Sequence, residues 1–167
     1  NFFESTILPF LKKNPEFVEK NIYEIILGTF SEQSCFFTKE FLKYPNINVN
    51  KPLNDDKITF ITRAIETRNN YGMELLLKNP NFDVNSYAYK NFSSFHLVVR
   101  FFVDMKIVDL FCMHPNFNVH LKDDVNYASA LRLGCVWGNV YVVKYLLDHF
   151  SDLEKEKIMK ELEIKEM

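Results

Sequence analysis

The clearest pattern of apolar and polar positions lies in residues 129–150. A serine opens "SALRLGCVWG", whose apolar residues Leu131 and Cys135 stand four apart, the spacing of one helix face. Gly138-Asn139 interrupts the run, and both residue types tolerate the left-handed backbone of a tight reversal. "VYVVKYLLDHF" then resumes with Val142, Val143, Leu146 and Leu147, a stripe at i, i+3, i+4 spacing. The pattern predicts a short helix N-capped by Ser129, a turn, and a second short helix.

The same phrase occurs upstream. "KYPNINVN", "KNPNFDVN" and "MHPNFNVH" place Pro45, Pro80 and Pro115 at a constant spacing of 35 residues. An apolar pair precedes each proline: Phe41-Leu42, Leu76-Leu77 and Phe111-Cys112. Some residues later a hydroxyl residue opens an apolar run at Thr59, Ser93 and Ser129. Proline lacks an N–H and disfavours helical geometry in the residue before it, so each one ends a second helix. The repeating unit is therefore helix, turn, helix and extended finger. Helices this short are marginal alone and persist where neighbouring units cover their apolar faces.

These residues resemble the ankyrin-repeat pattern. "SALRLGCVWGNVYVVKYLL" follows T-P-L-H-x-A-x-x-x-G-H-x-E-V-V-K-L-L-L through Gly138, Val142, Val143, Leu146 and Leu147. "TFITRAIETRNNYGMELLL" keeps Thr59, Ile61, Ala64, Leu76 and Leu77, while "SSFHLV" keeps Ser93 and His96. "DVN" at 83–85, "NVN" at 48–50 and "NVH" at 118–120 match the hairpin start. No proline follows the capping hydroxyl, and the inter-helix glycine survives only at Gly138, so Asn69 or Asn70, and Asp104, are expected to supply the other turns. Lys57, Phe92 and Tyr127 are expected in place of the hairpin glycine.

The resemblance implies an all-α ankyrin-repeat solenoid of stacked helix-turn-helix units with short finger hairpins, about four repeats including caps. The expected divisions are an N-terminal capping helix or partial repeat (1–23), a divergent first repeat with its finger (24–58), repeats at 59–92, 93–128 and 129–150, and a C-terminal cap at 151–167. In the first repeat "YEIILGTF" and "CFFTKEFLKYP" are the expected helices. In the last segment Ser151 and Glu154 form a capping box, and the segment reads as a cap or as the start of a linker.

Composition changes little in this picture. The chain has 167 residues, 47% apolar content and a formal charge of -2, so it offers no electrostatic case for binding nucleic acid. Its 17 Phe and 8 Tyr against 4 Gly accompany many Asn, Ile and Lys, all with AT-rich codons, which discounts raw aromatic counts. The three cysteines, Cys35, Cys112 and Cys135, are odd in number and far apart, which fits a reduced intracellular, cytoplasmic setting better than a disulfide framework. No apolar run approaches a membrane span. A first residue of Asn fits a fragment or processed product, from which any targeting signal could have been removed, so its absence here decides little.

Candidate chemistry is thin. Cys112 and His114 form C-x-H, but structural zinc requires a second ligand pair, so no metal or cofactor is expected and Cys112 reads as a buried thiol. The resemblance gives His96 a role tying hairpin to helix. The pairs Asp55-Asp56 and Asp123-Asp124 fit turn chemistry. No glycine-rich phosphate cradle occurs, and no enzymatic activity is expected.

What remains is surface. The resemblance implies a concave groove for a protein partner, built from finger tips and exposed first-helix positions on a monomer. The finger tips are Leu53 to Lys57 (with Asp55 and Lys57), Ser86 to Asn91 (with Tyr87, Tyr89 and Lys90) and Leu121 to Asn126 (with Asp123), next to Tyr127. The helix positions are Glu66 and Thr67, Phe101 and Phe102, and Val136 and Trp137, of which Trp137 and Tyr89 are the expected anchors. The expected function is a non-catalytic protein-interaction module. The alternative is a regulatory or targeting piece of a larger enzyme, channel or effector.

Overall fold

A computed structural model of the chain describes residues 5–6, 8–17, 20–21, 23–24, 38–39, 42, 47–53, 57–89, 91–124, 127–149 and 160. The expected helices of the first repeat, the C-terminal cap, Cys35, Asp55 and Lys90 lie wholly or largely outside these residues.

The described protein is mainly helical, with one small two-stranded sheet. Helix α1 spans Leu8–Lys13. Three helix pairs follow: α2 (Phe60–Glu66) with α3 (Asn70–Leu77), α4 (Ser94–Arg100) with α5 (Met105–Cys112), and α6 (Ala130–Trp137) with α7 (Val140–His149). Between α3 and α4, strand β1 (Tyr87–Tyr89) pairs antiparallel with β2 (Phe92–Ser93). Ahead of α6 the matching contact is a single bridge, Lys122 to Ser129.

Side-chain caps start the helices. Thr59, Ser93 and Ser129 accept the backbone N–H of Thr62, His96 and Arg132 and open α2, α4 and α6. Asn69, Asp104 and Asn139 then cap the second helices, taking the N–H of Gly72, Lys106 and Val142. The left-handed turn residues are Arg68 (φ 54°), Phe102 (φ 52°) and Gly138 (φ 71°), nine positions after their caps. Asn69 and Asp104 thus cap rather than carry the left-handed turn.

The finger reversals use Lys57, Asn91 and Tyr127, each at positive φ and two residues before the cap. Asn91, not Phe92, holds the middle position. The middle unit explains this: Pro80 to Ser93 is 13 residues where the flanking units have 14, and Ser93 to Asp104 is 11 where they have 10. One residue is missing from the finger and one is added to the inter-helix turn, so the 35-residue spacing survives while everything between shifts by one.

Helix α2 packs on α4 and α4 on α6, while α3 packs on α5 and α5 on α7. The shared core includes Ile61, Ile65, Met73 and Leu76, then Leu97, Val98, Ile107 and Phe111, then Leu131, Val142 and Leu146. Phe95, Phe111 and Phe117 form an aromatic cluster with centroids 4.8 to 6.5 Å apart. At Gly134 a Cβ would come within 2.9 Å of Val143 Cγ2, so glycine lets α6 and α7 approach. Cys135 is exposed, contrary to expectation. The buried side of α6 is Ala130, Leu131, Leu133 and Gly134, and a further 100° step turns Cys135 off that side.

Polar side chains stitch one unit to the next. The Asn50 amide donates to Asn81 O and its oxygen accepts from Asp83 N; Asn85 does the same with Asn116 O and Asn118 N. Asn139 Nδ2 reaches back to the Val99 carbonyl at 2.8 Å. Glu74 bridges to Lys106 and Lys78, which hold its carboxyl below the usual range. The Tyr145 hydroxyl donates to Asp109.

Candidate functional site

Counting from each N-cap shows which first-helix positions reach solvent. Positions 1, 2 and 5 are buried in all three helices: Phe60, Ile61 and Ala64; Ser94, Phe95 and Val98; Ala130, Leu131 and Gly134. Position 7 is exposed in all three, as Glu66, Arg100 and Val136, and position 8 holds Thr67, Phe101 and Trp137. The shift of the middle unit therefore corrects the expectation for its open face. Arg100 and Phe101, not Phe101 and Phe102, match Val136 and Trp137. Phe102 is 54% exposed but stands in the inter-helix turn, in the left-handed slot of Gly138.

Position 3 faces the next finger. Thr62 donates to Ala88 O at 2.6 Å, and His96 Nε2 lies 3.1 Å from Leu121 O. His96 Nδ1 accepts the Ser93 N–H at 3.1 Å, so the proton sits on Nε2 and is donated to Leu121 O. Burial lowers the His96 pKa, against the opposing pull of the Asp123 charge and the Leu121 carbonyl. A neutral imidazole thus ties helix to finger, the role the resemblance implied for it.

The other candidates divide by burial. Tyr127 and Val136 are among the most exposed apolar side chains, at 76% and 70%. Phe101 is 37% and Tyr87 38% exposed. The Tyr87 hydroxyl donates to Lys122 O, and partial burial with nearby Asp124 raises its pKa. Lys57 is exposed. Tyr89 is half-buried against the core.

Asp123, expected on the surface, is buried. Its carboxylate accepts the Ala128 N–H and its backbone N–H pairs with Ala128 O, so it closes its finger from within. Trp137 is also half-buried, its ring 6.0 Å from that of Phe92 on β2. It is as much a helix-to-finger packing residue as an exposed anchor. Arg100 escaped the sequence reading, because finding it required knowing the one-residue shift.

Among the described residues no group of three His, Cys, Asp or Glu side chains is placed to hold a metal ion. No helix there is long and apolar enough to cross a membrane. Cys112 is half-buried and its thiol is pushed up to about 12, by burial first and Asp109 second, which keeps it protonated. A cavity of about 270 Å³ lies at the inter-helix turns, lined by Arg68, Asn70, Phe102, Val103 and Asp104. A smaller one, about 80 Å³, lies at Tyr23, Lys51 and Leu53, where the Lys51 ammonium sits 4.2 Å from the Tyr23 ring centroid.

Comparison of the chain with protein-family models, with curated proteins and with solved structures yields no match.

Proposed function

We propose that this chain is a non-catalytic protein-interaction module: a divergent ankyrin-type solenoid that binds a partner protein through the open side of α2, α4 and α6 and the neighbouring fingers. What supports the reading most is the contrast along one helix. The inner positions of α6 are closed by Leu131, Leu133 and Gly134, while Val136 next to them is 70% exposed. Phe101 at the C-terminal cap of α4 and Tyr127 before α6 are further apolar side chains left in water. Large apolar groups on a rigid surface favour protein contact. Stacked repeats suit this role, because the residues that hold neighbours together differ from those that face outward.

Affinity capture tests the proposal. The intact chain is used as bait beside Val136→Glu and Tyr127→Ala variants, both at exposed positions. A specific protein retained by the wild type and lost by both variants, with thermal midpoints unchanged, is the expected result. Equal retention by all three baits would place binding elsewhere.

A further inference from the structure

The chain has four arginines and sixteen lysines. Three of the four arginines stand on the first helices: Arg63 on α2, Arg100 on α4 and Arg132 on α6. They are 4, 7 and 3 residues past their caps; Arg63 and Arg100 are exposed, and Arg132 is half-buried at the position that Thr62 and His96 hold in their helices.

Their surroundings differ. Arg63 has an acidic partner on its own helix, Glu66 at 3.4 Å. The position of Glu66 is Arg100 in α4 and Val136 in α6, so that arrangement is not repeated. The Arg100 guanidinium lies instead 6.0 Å from the Phe101 ring and 5.8 Å from the Trp137 ring. Among the described residues neither Arg100 nor Arg132 has a carboxylate partner. Arginine carries five N–H donors in a planar fork matched to carboxylate oxygens. Here the Arg100 fork borders the rings of Phe101 and Trp137, and Arg132 stands one helical turn before Val136 on α6.

We infer that the open face of α4 and α6 recognises an extended acidic segment of a partner protein, with Arg100 and Arg132 taking its carboxylates and an apolar residue of that segment resting on Val136 and Phe101. The inference rests on the protein-interaction reading above. Charge complementarity selects the occupant: Arg100 and Arg132 have no carboxylate partner among the described residues, and apolar rings adjoin Arg100. A nucleic acid fits less well, because two arginines neutralise few phosphates and the groups adjoining Arg100 are apolar.

The test is fluorescence anisotropy with two labelled peptides of equal length. One carries glutamates on both sides of a central Phe-Leu pair, and its twin carries glutamine at every glutamate position. The intact chain binds the acidic peptide at least about tenfold more tightly, as two charge-assisted contacts require. Added salt weakens that binding and leaves the twin's unchanged. The variant R100Q/R132Q brings the acidic peptide down to the twin's affinity, and R132Q alone accounts for part of the loss should the double variant unfold.

Equal affinity for the two peptides overturns the acidic preference. If Val136→Glu then weakens both equally, the protein-interaction reading stands without it. Failure of both peptides to bind also overturns the inference, while the capture experiment judges the wider reading separately. Tighter binding of an oligothymidylate than of the acidic peptide overturns it in favour of a nucleic-acid partner.

Discussion

Replacing Asn139 by serine separates two jobs that one side chain performs. Asn139 is 2% exposed; its Oδ1 caps α7 through the Val142 N–H, and its Nδ2 donates to the Val99 carbonyl of the preceding unit. Val99 is itself buried, and its carbonyl lies in the last turn of α4, where the i+4 donor is diverted: Val103 N–H goes to Val98 O. The amide of the next unit therefore satisfies a carbonyl that the helix end leaves open.

Serine caps a helix about as well as asparagine but has no amide NH2 to reach the Val99 carbonyl while its oxygen caps. Asn139→Ser should then cost about 1–3 kcal/mol, the penalty for a buried acceptor left unpaired. Asn139→Ala also removes the cap, adding about 1 kcal/mol. With a urea m-value near 2 kcal/mol/M, the serine variant shifts the unfolding midpoint down by about 0.5–1.5 M. Asn139→Asp keeps the cap but sets a carboxylate against the carbonyl, so it should lose more than serine at neutral pH and recover part of the loss in acid. A serine variant matching the wild type, beside an alanine variant that does not, would refute the idea that this amide joins the two units.

Phe111 is fully buried and meets Phe95 and Phe117; Phe111→Ala should cost about 3–5 kcal/mol in urea unfolding, and a loss under about 1 kcal/mol would contradict the packing described. Burial lowers the His96 pKa, so the unfolded chain binds the extra proton and stability rises with pH. The His96 contribution is complete above the ordinary histidine value of about 6.5 and declines as pH falls toward the lowered folded value. Urea midpoints between about pH 7.5 and about pH 5.5 should fall more steeply for the wild type than for His96→Thr, since Thr62 makes the corresponding bonds in its own unit; parallel slopes would contradict the neutral imidazole. Cys135 is exposed while Cys112 is half-buried with its thiol pushed up to about 12. Disulfide-exchange reagent at mildly alkaline pH should therefore modify Cys135 at least about a hundredfold faster, and equal labelling rates by peptide mass spectrometry would contradict that placement.

Much of the local structure was legible because residue chemistry and period coincided. Thr59, Ser93 and Ser129 are the right residue types for caps, and all three cap neighbouring helices. Lys57, Tyr127 and Gly138 take the left-handed backbone expected of them. The errors cluster in the middle unit, where two opposite one-residue changes cancel over the period. A constant proline spacing conceals them, and they displace the reading of Phe92 for Asn91 and of Phe101-Phe102 for Arg100-Phe101. Asp123 and Cys135 misled for another reason. Each belongs to a type with two common fates, and only the fold decides whether an aspartate closes a finger from inside or whether a thiol just beyond Gly134 turns outward. The cross-unit bonds of Asn50, Asn85 and Asn139 were equally hidden. An asparagine in a turn satisfies local rules by itself and carries no mark of a second partner some 30 to 40 residues away.

Which face binds can be measured directly by amide chemical-shift mapping of the ¹⁵N-labelled chain titrated with the captured partner. The expected perturbations fall on Tyr87, Arg100, Phe101, Tyr127 and Val136, with the solvent sides of α3, α5 and α7 unmoved. Shifts concentrated on Tyr71, Met113 and Tyr141, the exposed residues around those second helices, would contradict the proposed function.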